Sequence, residues 1–217
     1  RLKPGDYVII FDGRREYLGR IESVGSKGAK VELEESMGEA AEPPFELWLA
    51  PGLIKGPRMD TLMEKAAEIG AHRVMPVHTA RSVAKTSKDS SGRMARWRKI
   101  AQSGAAQSGR KDVPIVENPC RFEEIIAKDA DLKVFLWEKL PGDGAHKLPW
   151  EETWGEKLPQ TVILMTGPEG GFTAEEAEKA IEQGWLPWGL GTQVLRAETA
   201  CIAGAAILTH RLAGNLF

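Results

Sequence analysis

The apolar positions of this chain follow two different patterns, which divide it near residue 42. Before that point, short runs of apolar residues alternate with turn residues, at Tyr7–Phe11, Tyr17–Ile21 and Ala29–Leu33. Asp12-Gly13, which closes the first run, is typical of a β-hairpin. This spacing predicts a small β-barrel. The barrel should end at Glu42-Pro43-Pro44, because consecutive prolines continue neither a helix nor a central strand.

After residue 44, predicted strands alternate with predicted helices. Apolar runs that predict strands lie at Phe45–Ala50, His72–His78, Leu132–Glu138, Thr161–Thr166 and Leu186–Leu190. Helical periodicity predicts helices over 57–70, 93–108 and 198–213, and a capping box at Thr173–Glu176 opens another that ends at Gly184. Alternation of this kind favours a parallel α/β sheet covered by helices.

The composition is that of a soluble globular protein, with 217 residues, 42% hydrophobic and 28% charged. Cys120 and Cys201 lack the spacing of a zinc site or a disulfide scaffold, which favours a cytoplasmic protein. The histidines show no metal-ligand spacing, so no metal is predicted. The apolar runs are too short to cross a membrane. Because the chain starts at Arg1, we expect its N-terminus to be incomplete.

Charge is distributed unevenly along the chain. The formal net charge is −2, which excludes a uniformly basic surface for nucleic acid. Residues 51–115 nevertheless contain 13 Lys/Arg against 5 Asp/Glu, a formal charge of +8. Such a block fits a face that binds phosphate groups, and it also fits an ordinary solvated helical surface.

Two loops in the second half of the chain carry candidate chemistry. Thr166–Phe172 follows a strand and contains three glycines, which allow the backbone to approach a ligand closely. It matches neither the dinucleotide fingerprint nor a Walker loop. Gly189–Ala200 leads into the last helix and brings Arg196 and Glu198 near its start. Taken alone, the first loop also fits a tight turn, and the second an exposed ion pair.

Together these loops carry a family resemblance. Gly167-Pro168-Glu169-Gly170-Gly171-Phe172, followed by Leu190-Gly191-x-x-Val194-Leu195-Arg196-x-Glu198-Thr199-Ala200, resembles the family that methylates uridine N3 in 16S ribosomal RNA. That family belongs to the SPOUT superfamily of knotted methyltransferases. Further segments agree, namely Lys55–Asp60, Glu64–Gly70, Arg81-Ser82-Val83, Arg96-Trp97 and Gln107–Arg110. The resemblance runs from about Leu2 to Leu216.

The resemblance implies an α/β fold in two domains. Residues 1–42 would form a PUA-like β-barrel that binds RNA. Residues 43–217 would form a SPOUT methyltransferase domain with a parallel sheet and a C-terminal trefoil knot. The implied partners are S-adenosyl-L-methionine, the 16S rRNA of the small ribosomal subunit and a second copy of the chain.

The resemblance also implies a cofactor site built from three loops. Its residues are Leu136, Trp137, Glu138, Thr166, Gly167, Pro168, Glu169, Gly170, Leu190, Gly191, Val194, Leu195, Thr199 and Ala200. Two positions depart from the usual family residues: Gln193 replaces an arginine, and Trp137 replaces a common histidine.

Methylation at N3 requires that this nitrogen first lose its proton. Arg196 is the candidate that stabilises the resulting uracil anion. Glu198 is a candidate general base, or it orients Arg196, or it merely offsets the dipole of the last helix. The candidate phosphate contacts are Lys55, Arg58, Arg81, Arg93, Arg96 and Arg110.

Three other functions compete with this hypothesis. The same knotted fold supports methylation at another RNA position, such as the ribose 2′-oxygen. A non-enzymatic RNA-binding protein would use the barrel and the basic helix. A nucleotide-dependent oxidoreductase is disfavoured, because its fingerprint is missing.

Overall fold

The computed structural model describes residues 2–12, 15–26, 28–39, 43–82, 90–138 and 158–213. Gly13, Glu42 and Val83, which the sequence analysis used, lie outside these ranges. The described strands are β1 (Tyr7–Phe11), β2 (Arg15–Gly25), β3 (Gly28–Glu39), β4 (Glu46–Pro51), β5 (Arg73–Val74), β6 (Val77–His78), β7 (Ile115–Val116), β8 (Cys120–Arg121), β9 (Leu132–Leu136), β10 (Thr161–Thr166) and β11 (Leu186–Trp188). The described helices are α1 (Pro57–Ile69), α2 (Ser90–Gln107), α3 (Phe122–Ile126), α4 (Ala174–Glu182) and α5 (Ala197–Ala213).

The N-terminal strands β1, β2 and β3 form an antiparallel sheet in that order. The first strand has the predicted bounds, whereas β2 and β3 extend well beyond their apolar runs. These extensions are rich in glutamate, serine and glycine, and they are held by the ladder between the two strands rather than by strand propensity. Most side chains of this sheet are exposed, while Ile21 is buried.

The second part of the chain contains the predicted parallel sheet. Its strand order is β11-β9-β10-β4-β5-β7, and all neighbouring strands are parallel. Strand β10 lies between β9 and β4, and its residues 162–166 are buried on both faces. A strand buried on both faces reads as a continuous apolar run, which explains why Thr161–Thr166 was predicted with its observed bounds.

Alternate residues of β10 enter two separate cores. Leu164 packs on the face covered by α1, α2 and α5, whereas Ile163 packs on the face covered by α3 and α4. The largest fully buried side chain is that of Trp185, on the second face. Its indole Nε1 donates to the Ile126 carbonyl at 3.0 Å, which satisfies the buried polar group.

Local signals fix the helix ends that border the site. The first helix begins with Pro57 and ends at Gly70, whose φ of 99° is left-handed. The capping box is confirmed at α4: the Glu176 amide donates to Thr173 Oγ1 at 3.1 Å, and the Thr173 amide donates to Glu176 Oε2 at 2.9 Å.

One expected strand was wrong, and one short helix was not predicted. The single strand predicted at His72–His78 is divided into β5 and β6, and β6 pairs with β8 in a separate two-stranded sheet. Pro76 lies between the two strands and lacks the amide needed to continue a ladder. Helix α3 was missed, because five residues are too few to show helical periodicity.

The carboxyl ends of four strands lie in one row. Thr166, the last residue of β10, is in register with Pro51 of β4 and with Leu136 of β9. Leu136 is in turn in register with Trp188 of β11. The loops that follow these strands therefore leave the sheet at one edge, where ligands bind in open α/β sheets. Among the described helices, none is long and apolar enough to cross a membrane.

Arg110 holds the end of α1 rather than facing solvent. Its Nη1 donates to the carbonyls of Ala67 at 2.9 Å and Ala71 at 2.7 Å, and its Nη2 lies 2.6 Å from Asp112 Oδ2. Only 12% of its side chain is exposed. The phosphate contact predicted for Arg110 is therefore not favoured, because its donors are already used inside the protein.

We expect Arg110→Ala to lower the free energy of unfolding by about 2–3 kcal/mol, because it leaves buried carbonyl groups without their charged donor. Arg96→Ala is the matched control. Its side chain is 67% exposed and, in the described part of the chain, pairs with Asp60, so the loss should stay below about 1 kcal/mol. Urea unfolding measures both values. Equal losses would contradict the interpretation that Arg110 stabilises the end of α1.

Candidate active site

Three loops enclose a cavity at the carboxyl edge of the parallel sheet. The loops follow β9, β10 and β11, and the cavity measures about 570 Å³. This volume lies within the range of about 300–1,000 Å³ that is usual for small-molecule sites. Its lining residues are Arg58, Leu136, Trp137, Glu138, Thr166, Gly167, Pro168, Glu169, Gly171, Trp188, Gly189, Leu190, Gly191, Thr192, Gln193, Val194, Leu195, Arg196, Ala197 and Ala200.

Most of the sequence-predicted site residues meet in this cavity. Twelve of the fourteen candidate cofactor residues line it, and Arg196 does so as well. Gly170, Thr199 and Glu198 do not line it. Sequence reasoning missed six further lining residues, and all of them except Trp188 adjoin a predicted site residue: Gly171, Trp188, Gly189, Thr192, Gln193 and Ala197. It also missed Arg58, which was assigned to the RNA surface because nothing in the sequence joins α1 to these loops.

The cavity wall formed by Gly167 and Pro168 lies directly against Gly52, the residue that follows β4. The Gly52 amide donates to the Thr166 carbonyl at 2.7 Å. A Cβ atom at position 52 would lie 2.5 Å from the Pro168 nitrogen and 2.9 Å from the Gly167 carbonyl carbon. Only glycine permits this approach of two backbones. The loop after β10 is thus seated on the strand beside it.

Gly171, in the same loop, also lines the cavity. Its φ of 65° is left-handed, and a Cβ there would lie 3.0 Å from Glu138 Oε1. The turn is closed by the Gly171 amide, which donates to the Pro168 carbonyl at 2.9 Å. Glycine at this position lets the Glu138 carboxylate approach the loop, so that the loops after β9 and β10 touch.

Arg81 braces the glycine-rich loop from outside the cavity. Its Nη1 donates to the carbonyls of Gly170 at 2.9 Å and Phe172 at 3.2 Å. Nearby, the Ala80 amide donates to Glu176 Oε1 at 2.7 Å. Gly170 therefore faces Arg81 rather than a ligand. Neither the cofactor contact predicted for Gly170 nor the phosphate contact predicted for Arg81 is favoured by this geometry.

The cavity floor contains a polar group that no described residue satisfies. The indole Nε1 of Trp137 is buried and has no hydrogen-bond partner in the described part of the chain. A buried donor left unpaired costs about 1–3 kcal/mol. Because Trp137 lines the cavity, a ligand acceptor would remove this cost. Burial also raises the pKa of the nearby Cys201 thiol, which hydrogen-bonds with Thr166, to about 12, so the thiol is protonated at neutral pH.

Charged side chains gather at the rim. Arg196 lines the cavity and is exposed. The guanidinium of Arg58 lies 3.7 Å from Glu169 Oε1 and 3.8 Å from Glu198 Oε1. Glu169 also accepts a hydrogen bond from the Lys55 amide at 3.2 Å. The rim thus offers cations to an anionic group and carboxylates to a cationic one.

The remaining candidate phosphate contacts are exposed to different degrees. Lys55 is exposed, and the Arg96 guanidinium is exposed apart from its pairing with Asp60. Arg93 stacks over the ring of Trp97, with 5.3 Å between its Cζ atom and the ring centroid. Within the ranges that the structure covers, no group of three or more His, Cys, Asp or Glu side chains is arranged to hold a metal ion.

Comparison with known proteins agrees with this architecture. Residues 41–209 match the family profile described as the RNA methyltransferase domain. Ribosomal RNA small subunit methyltransferase E of Bacillus subtilis is 30% identical over 221 residues, which covers 97% of this chain and 84% of the relative. The chain belongs to the family of ribosomal RNA small subunit methyltransferase E.

Solved structures related to this methyltransferase family have the same fold. One from Legionella pneumophila, in complex with the cofactor SAM, aligns with a TM-score of 0.83 and 30% identity, over 96% of this chain and 84% of that one. Ribosomal RNA small subunit methyltransferase E of Neisseria gonorrhoeae, bound to S-adenosyl methionine, aligns with a TM-score of 0.82 and 28% identity, with the same coverage.

Replacing Gly52 tests whether the β10 loop is seated on β4. We expect Gly52→Ala to lower the free energy of unfolding by about 1–3 kcal/mol, because the added methyl group overlaps backbone atoms. Amide hydrogen exchange in residues 167–172 should become faster. In the control Gly25→Ala, the new Cβ would meet only the Gly28 carbonyl oxygen, at 3.6 Å. Unchanged exchange in Gly52→Ala would contradict the seating.

Proposed function

We propose that this protein transfers a methyl group from S-adenosyl-L-methionine to N3 of a uridine in the 16S rRNA of the small ribosomal subunit. The observation that carries the proposal is the convergence of three loops around one cavity that presents two guanidinium groups. Family membership supplies the substrate class. A small-subunit RNA substrate also implies action in the cytoplasm.

The residues around the cavity fit the methyl donor. Leu136, Leu190 and Leu195 offer apolar surface for an adenine ring, and backbone groups of the same loops are available to its polar edge. The buried Trp137 Nε1 supplies a hydrogen-bond donor that needs an acceptor. Once bound, S-adenosylmethionine supplies an electrophilic methyl group on a positively charged sulfur.

Positive charge at the rim supports a role in stabilising the uracil anion. N3 of uridine becomes nucleophilic only after it loses its proton, which leaves negative charge on the carbonyl oxygens. Arg196, which lines the cavity, is the first candidate to stabilise that charge in a partly dry site. The pairing of Glu198 with Arg58 and its position in the first turn of α5 support an orienting or dipole role rather than proton transfer.

The candidate surface for the surrounding RNA lies on the basic block. Lys55 and Arg96 remain its main phosphate contacts, since both are exposed. Arg93 contributes through its stacked guanidinium. A target base inside a folded RNA must leave its stack to reach the cavity.

We further propose the finer architecture that the family resemblance implies. The exposed antiparallel sheet of residues 7–39 supports a PUA-like barrel in residues 1–42, followed by a methyltransferase domain in residues 43–217. The trefoil knot is supported by the path of α5, which follows the edge strand β11 yet packs against α1 and central strands. Exposed Val194 and Ile207 on the last loop and helix support a homodimer.

Mass analysis of nucleosides tests this function directly. Incubation of small subunits or their RNA with S-adenosylmethionine should give N3-methyluridine. We expect Arg196→Ala to lower turnover by about 10²–10³-fold, as for other removed electrostatic stabilisers, with its affinity for S-adenosylmethionine mostly retained.

The outcomes of that assay separate the competing functions. A ribose-methylated product would replace the N3 target with a 2′-oxygen target. A protein without affinity for S-adenosylmethionine in calorimetry would be an RNA-binding protein instead. Turnover unchanged in Arg196→Ala would remove this residue from the mechanism.

RNA affinity should fall steeply as the salt concentration rises, because phosphate contacts release counterions. We expect Arg96→Ala to weaken binding and to reduce the slope of log affinity against log salt by about 1. Arg110→Ala should leave the slope unchanged under conditions in which it is folded. A slope that is the same for Arg96→Ala and the native protein would contradict the proposed surface.

A further inference from the structure

Glu198 does not contribute to the cavity wall, although its neighbours in sequence do. Arg196, Ala197 and Ala200 line the cavity, whereas Glu198 does not. Its Oε1 lies 3.8 Å from Nε of Arg58, and the Arg58 side chain does line the cavity. Within the Arg58–Glu198 pair, it is therefore the guanidinium and not the Glu198 carboxylate that faces the cavity.

The positive charge of Arg58 at the start of α1 is balanced by two nearby carboxylates. Arg58 is the second residue of α1, where a cation is unfavourable because it opposes the helix dipole. Glu198 and Glu169 supply negative charge on two sides of it, at 3.8 and 3.7 Å. Glu169 belongs to the loop after β10 and Glu198 to the first turn of α5, so the guanidinium links these two segments.

The guanidinium retains donors for another partner. Both of its ion-pair distances exceed the roughly 2.7–2.9 Å of a charge-assisted hydrogen bond. Its side chain is 44% exposed. Arginine has five N–H donors in a planar fork that suits anionic oxygens. Arg58 is thus positioned by its two ion pairs, while its N–H groups can still donate hydrogen bonds to a ligand.

Glu198 is largely buried, and Arg58 is its one ion-pair partner among the described residues. Its side chain is 13% exposed, and Oε2 has no hydrogen-bond partner among the described residues. A largely buried carboxylate that loses its only cation is strongly destabilised. By contrast, a general base must come within hydrogen-bond reach of the proton that it removes. A side chain that does not line the cavity is poorly suited to that task.

We propose that Arg58 contacts an anionic oxygen of the bound ligands and that Glu198 is the positioning residue that orients it. This inference rests on the proposed function, since it assigns roles within the same methyl-transfer site. The anionic oxygen belongs either to the carboxylate of the methyl donor or to the deprotonated uracil. Arg58 then works beside Arg196, and Glu198 acts through Arg58.

A double-mutant cycle tests the coupling. We would measure kcat, KM and the Kd for S-adenosylmethionine in Arg58→Ala, Glu198→Ala and the double variant, with small-subunit RNA as methyl acceptor. Arg58→Ala should lower kcat/KM by about 10²-fold. Adding Glu198→Ala should cost less than about threefold more, because residues that act through one another are not additive. Losses that multiply would overturn the inference.

Conservative variants separate positioning from a merely structural role. Arg58→Lys should recover part of the lost rate, and Glu198→Gln should keep the native shape of the pH–rate profile. If Glu198 were the general base, Glu198→Gln would remove the acidic limb of that profile, and the inference would fail. These variants also serve if either alanine variant fails to fold. Lys65→Ala is the control. It removes a cation from the same helix, together with its ion pairs to Glu64 and Glu68, and should leave the rate unchanged.

Binding measurements identify the source of the anionic oxygen. If Arg58 contacts the donor carboxylate, Arg58→Ala should weaken binding of S-adenosylmethionine but not of its decarboxylated analogue. If it contacts the uracil anion, both affinities should hold while kcat falls. No change in either affinity or in kcat would overturn the inference. Absence of N3 methylation by the native protein would instead refute the proposed function.

Discussion

The shared register of four parallel strands is the constraint on which the site depends. Hydrogen bonds from β10 to β4 and to β9 fix Thr166 beside Pro51 and Leu136, and β11 continues the row with Trp188. A shift by one residue would exchange the two faces of the buried strand, and it would move Leu164 out of its core. The apolar cores therefore enforce the alignment, and the alignment brings the three loops together.

Electrostatics then divides the arginines of the basic block by function. The same residue type braces a loop at Arg81, clamps a helix end at Arg110 and lines the cavity at Arg58. These three arginines differ in which hydrogen-bond acceptors of the protein lie within reach of the guanidinium. Where carbonyl groups or carboxylates of the protein bind a guanidinium, fewer of its donors are left for solvent or RNA. The net charge of a segment is consequently a poor guide to the surface that it presents.

The parts of the fold that could be predicted are those encoded locally. The apolar run of β10 and the capping box at Thr173 each specify their own conformation. The division at Pro76 was missed, because apolar residues continue on both sides of the proline that interrupts the ladder. Most cavity residues were found because the two loops are continuous in sequence. The pairing of Arg58 with Glu198 was not predicted, because it joins helices that are far apart along the chain.

The contact between Gly52 and the loop after β10 has a consequence for how a ligand is bound. Because two backbones meet there without an intervening side chain, that wall of the cavity is already in place in the free protein. A preorganised wall loses little conformational entropy when a ligand enters, so more of the contact energy is retained as affinity. A ligand is therefore expected to bind at this wall with little change in the conformation of the backbone.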